Sequence, residues 1–127
     1  WFHYFNPNPH NRKSGDCVVR ALSIATNTTW EVCATELFQI GLESGYVMTD
    51  DPVVDKFLAK HGFIKCKEPR KLDNTKMTCA TWLDKYCRHS LVVANLGSHH
   101  IACIKDNVVW DIWDSSNETI HCYWVLG

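Results

Sequence analysis

The hydrophobic pattern of this chain changes period once, near residue 90, and that change limits the folds open to it. Upstream, apolar residues recur at helical spacing. In "TTWEVCATELFQIG", Trp30, Ala34 and Leu37 form one stripe; Thr28 and Glu31 fit a capping box, and Gly41 supplies the stop. "DDPVVDKFLAKHG" opens on acidic residues, carries Pro52 in its first turn, turns Val54, Phe57 and Leu58 inward and stops at Gly62. The shorter "DCVVRALSIAT" reads as a helix with Asp16 as N-cap, whose small residues Ala21, Ser23 and Ala25 let neighbours approach closely. A fourth helix spans "TCATWLDKYC" after Thr78. Downstream, "SLVVANL", "HHIACI", "NVVWDIW" and "TIHCYWV" alternate or run continuously apolar, as strands do. Helices followed by strands predict an α+β domain, with N-terminal helices packed on a C-terminal antiparallel sheet.

A chain of 127 residues that is 46% hydrophobic can bury a core without metal or disulfide staples, so one domain over residues 1–127 is expected. Thirteen basic against fourteen acidic side chains leave no surplus of positive charge for a phosphate backbone, which argues against nucleic acid as a partner. No apolar run reaches the ~20 residues of a membrane span. The seven cysteines are odd in number and lack framework spacing, the usage of a reduced, cytoplasmic protein. Neither CxxC nor HxxxH spacing occurs in pairs, so no metal site and no cofactor are expected.

Within this layout "SGDCVVRAL" places Cys17 at the start of a helix, behind a turn-rich arm, "FNPNPHNRKSG". Unpaired N–H groups and the positive end of the helix dipole favour the thiolate there. A thiolate nucleophile needs a base and an orienting acid. "SHHIACI" supplies His99 and His100, and the next strand supplies Asp111 and Asp114. Adjacent strand residues face opposite ways, so only one histidine can serve. A two-residue turn at Asp106 and Asn107 sets Ile104 opposite Val109 and makes His100 and Asp111 diagonal neighbours; His99 and Asp114 share the other face. Both pairs are coherent on this reading.

"GDCVVRAL" and "HIACIKDNVVWDIW", in that order, resemble the papain-like cysteine peptidases, especially the compact bacterial type related to double-glycine leader peptidases. The chain also resembles small uncharacterised proteins of phages and their bacterial hosts. "DIW" at 111 to 113 is similar to the segment in which the family orients its catalytic histidine. The resemblance thus implies a Cys17, His100, Asp111 triad. It also implies an oxyanion donor before the nucleophile, for which Asn11 is the matching position and Asn8 and Asn6 are alternatives. The interval from Cys17 to His100 is well short of the ~130 residues of papain itself, so a reduced core is implied.

The expected activity is thiol hydrolysis or acyl transfer at a peptide bond, an isopeptide bond or a glutamine amide, with a protein or peptide as substrate. The competing class is a non-catalytic papain-like module that binds and blocks a partner. Cys33, Cys66, Cys79, Cys87, Cys103 and Cys122 read as structural thiols. The tryptophans at 82, 110, 113 and 124 read as core, with Trp113 shielding the histidine and its acid from water.

Overall fold

The computed structural model describes all residues, 1–127. It is an α+β fold of four helices and one six-stranded sheet. The elements run β1 (Phe2–Tyr4), α1 (Cys17–Thr26), α2 (Trp30–Ser44), α3 (Asp51–Lys60), β2 (Phe63–Cys66), α4 (Cys79–Lys85), β3 (Leu91–Leu96), β4 (His100–Lys105), β5 (Val108–Asp111) and β6 (Ile120–Leu126). The sheet order is β1-β5-β4-β3-β6-β2. The four apolar stretches after residue 90 form its centre, and their pairings are antiparallel. The sheet as a whole is mixed, not antiparallel, because β1 joins β5 in parallel, while β2 extends the other edge beside β6.

Alternation along the strands divides the interior into two layers. Val93, Ile101, Cys103 and Trp124 face a core built with α1, α2 and α3. Val92, Ala94, Leu96, Ala102 and Ile104 face the opposite core, where α4 contributes Cys79, Trp82 and Leu83. Central strands buried on both faces explain why their sequences run apolar without a polar face.

The helix starts depart from the sequence reading in two places. Thr29, not Thr28, caps α2, its hydroxyl accepting from the Val32 N–H at 3.2 Å. Asp16 precedes α1 but makes no capping hydrogen bond, because its carboxylate is engaged elsewhere. Thr78 caps α4 as its sequence suggests, and Gly62 ends the α3 region with φ +84°.

Gly41 does not end α2. The helix runs on to Ser44 and closes through Gly45, at φ +78°, with the N–H groups of Gly45 and Tyr46 both donating to the Gly41 carbonyl. Glycine is needed at 41 for a different reason: a Cβ there would lie 2.6 Å from the Tyr46 carbonyl oxygen. Helix propensity alone would make Gly41→Ala stabilising by ~1 kcal/mol. The backbone clash outweighs this, and the variant is expected to lose about 1–3 kcal/mol in a urea titration. A gain in stability would show that the 45–48 return moves freely.

Candidate active site

Three elements converge on one corner of the sheet. α1 presents Cys17 as its first residue, β4 begins at His100, and β5 ends at Asp111. The hairpin that aligns the two strands turns through Asp106 and Asn107, both left-handed at φ 50° and 64°, as a type I′ turn requires. It sets Ile104 opposite Val109 and Cys103 opposite Trp110. Asp111, one residue further, is then diagonal to His100.

His100 Nε2 donates to Asp111 Oδ2 at 2.6 Å. That leaves Nδ1 as the ring nitrogen available to the thiol, and His100 acts on Cys17 more strongly than any other polar group. Burial opposes ionisation of Cys17, but the His100 hydrogen bond, the Ile101 backbone N–H and the charges of His100 and Arg20 outweigh it. The thiol is held below the ordinary 9.0. Burial likewise disfavours the imidazolium. Asp111 and the Cys17 thiolate overcome that and push the His100 pKa up to about 9. The two shifts describe one thiolate–imidazolium pair, in which His100 is the main support of the thiolate and Asp111 the main support of the imidazolium.

Five other thiols are shifted the opposite way. Burial pushes Cys33, Cys79 and Cys103 up to about 12, and it raises Cys87 and Cys122 as well. The N–H groups of Cys17 and Val18 find no backbone acceptor, since they lie in the first turn of α1.

Asp111 is itself buried and saturated. Its Oδ1 accepts from the Ile112 N–H at 2.7 Å and from Arg20 Nη2 at 3.3 Å. Arg20, only 4% exposed, also pairs through Nη1 with Asp16 Oδ1 and donates to the Ser14 carbonyl. Asp16 Oδ2 accepts from Asn8 Nδ2 at 3.1 Å and from Trp30 Nε1 at 2.9 Å. Arg20 and Asp16 were not among the site residues expected from the sequence. The available signal was a lone arginine in an apolar helical run, four residues after an aspartate.

The other pair does not form. His99 lies in the turn before β4, at φ +72°, and Asp114 Oδ1 accepts from the N–H and hydroxyl of Ser116. Among the arm residues, the Asn8 amide is occupied by Asp16, the Asn6 amide donates to the Arg12 carbonyl, and Asn11 is exposed at φ +52°. Trp113 is not core: it is 42% exposed, with its ring tilted against His100 at 4.8 Å between centroids. Trp82 and Trp124 are buried as expected.

A cleft of about 420 Å³ is lined by chain neighbours of the pair, Val18, His99 and Ile101, but by neither Cys17 nor His100. Val18, Val54 and Ile101 give it apolar walls, and Asp50, Asp51 and His99 stand among its polar lining. No three His, Cys, Asp or Glu side chains cluster as metal ligands would. The two His/Cys neighbourhoods with donor atoms are otherwise engaged, Cys87 with the His89 carbonyl and His121 with Glu68. No helix is long and apolar enough to cross a membrane. Comparison with protein-family models, with curated proteins and with solved structures finds no match for the chain.

Proposed function

We propose that the chain is a compact papain-like thiol hydrolase acting on a peptide bond, an isopeptide bond or a glutamine amide. The observation that carries this reading is the convergence of Cys17, His100 and Asp111 at one corner of the sheet, with His100 hydrogen-bonded to Asp111 at 2.6 Å and the Cys17 thiol drawn toward its ionised form. In this mechanism the Cys17 thiolate attacks the carbonyl carbon and forms the C–S bond. The negative charge passes to the carbonyl oxygen, where the Cys17 N–H, unpaired at the start of α1, stabilises it. His100, as imidazolium, gives its Nδ1 proton to the leaving nitrogen as the C–N bond breaks. It then takes a proton from the water that hydrolyses the thioester, while Asp111 holds Nε2–H throughout.

Selective labelling tests the thiolate, and cleavage tests the turnover. Cys66 and Cys122 are partly exposed, as Cys17 is, so accessibility alone would label all three similarly. With a limiting electrophile at pH 6, Cys17 is expected to be modified at least about tenfold faster than Cys122, whose thiol is pushed up by burial instead. Incubation with a mixed peptide pool should yield products that disappear in Cys17→Ser. Even labelling of the three thiols would overturn the mechanism. Selective labelling without any cleavage would favour the binding module.

A further inference from the structure

We propose that Arg20 is a positioning residue of this site: pinned by Asp16, its guanidinium fixes the Asp111 carboxylate and hence the orientation of His100. The inference rests on the proposed thiol chemistry, and it begins from two local rules that the fold breaks at this place. A buried cation is destabilising unless its donors are satisfied, yet Arg20 Nε is buried without a partner. An aspartate before a helix ordinarily caps it, yet Asp16 leaves α1 uncapped and turns to Arg20, Asn8 and Trp30. Both departures serve one result, a guanidinium held against Asp111. Local rules broken together, without a gain in stability, are characteristic of sites shaped for function.

The geometry shows what that guanidinium does. His100 uses Asp111 Oδ2, so the rotation of the carboxylate is set by what holds Oδ1. Without Arg20 only the Ile112 N–H would remain there. The positive charge also bridges two buried carboxylates, Asp16 and Asp111. Arg20 sits on α1 one turn after Cys17. One helical segment therefore fixes both ends of the chain, the sulfur directly and the acid through Arg20. Asn8 extends the device to the arm, because its amide braces Asp16.

The test is the rate of Cys17 alkylation against pH, measured beside thermal melting in Arg20→Lys, Arg20→Met and Asp16→Asn. Lysine keeps the charge but lacks the fork that spans two carboxylates, so Arg20→Lys should fall between wild type and Arg20→Met. The expected shift of the acid limb toward higher pH is about half a unit to one unit in Arg20→Lys and Asp16→Asn, a roughly three- to tenfold slower reaction at pH 6. Arg20→Met should approach His100→Ala. The other ionisable groups beside the cleft, Asp50, Asp51 and His99, are unchanged in all three variants. If Arg20→Met does not fold, the two conservative variants decide the matter. Melting temperatures that fall while both alkylation profiles superimpose on wild type would make Arg20 merely structural and overturn the proposal. A wild-type profile with the limb of an ordinary thiol is a separate result, because it removes the ion pair itself and with it the proposed function.

Discussion

Replacing His100 with alanine should move the alkylation profile of Cys17 up to an apparent pKa of 9.0 or beyond and slow the reaction at pH 6 at least about tenfold. The direction follows from the balance at the thiol. Burial is the largest influence on Cys17 and raises its pKa; the imidazole contributes both the main hydrogen bond and the main charge on the other side. Once the ring is gone, the Ile101 N–H and the more distant Arg20 remain, and burial prevails. In the wild type the pair should persist until His100 loses its proton near pH 9. Hydrolysis requires that proton for the leaving nitrogen, so turnover should fall through pH 9 although the thiolate survives. Stability has the same alkaline limit. The folded pKa of His100 lies above its ordinary 6.5, so its contribution is complete below pH 6.5 and is lost as pH rises through about 9. Coincident wild-type and His100→Ala profiles, both with midpoints near 9, would show that Cys17 is an ordinary buried thiol.

The elements that this chemistry needs were legible in the sequence because each carries a local signal. The apolar strands after residue 90 are buried on both faces, and the Asp106–Asn107 turn fixes the register that brings His100 to Asp111. What escaped the sequence depends on distant partners. β1 is three exposed residues, Phe2 to Tyr4, whose strand state exists only because β5 offers an edge, so no alternation marks it. β2 is four residues long with two exposed. Asp16 reads as a cap because the sequence shows the helix it precedes and not the arginine, asparagine and indole that claim its carboxylate. Gly41 reads as a stop for the same reason: the close approach of the Tyr46 carbonyl, which accounts for it, is a tertiary contact. The choice between the two histidines was likewise open to local reading, since strand alternation separates them but does not say which one meets α1.

That choice bears on the second large effect, the contrast between the acids. Asp114→Ala should leave turnover within about twofold of wild type, because Asp114 serves Ser116 in a local turn and its loss there is a minor surface change. Asp111→Ala should cut turnover far more, but for a mixed reason. The substitution frees the His100 ring and also strands Arg20, whose buried charge would keep only Asp16, at a cost of about 3–5 kcal/mol for a broken buried pair. Asp111→Asn keeps the volume and removes the charge. Its amide oxygen can still accept from His100 Nε2, but its NH2 group then meets the Ile112 N–H and Arg20, which also donate, so the anchor at Oδ1 is lost. The negative charge that holds the His100 pKa at about 9 is removed, so the alkaline limb should move to lower pH. On the proposed hydrolysis, the expected pattern is a folded Asp111→Asn protein with reduced turnover and a narrower pH range, beside an Asp111→Ala variant that loses roughly 10²–10⁴-fold in rate even when stabilised enough to be assayed. Turnover against pH in the three variants decides it. Loss of activity in Asp114→Ala with Asp111→Asn unaffected would mean that the working histidine takes its orientation from a different acid.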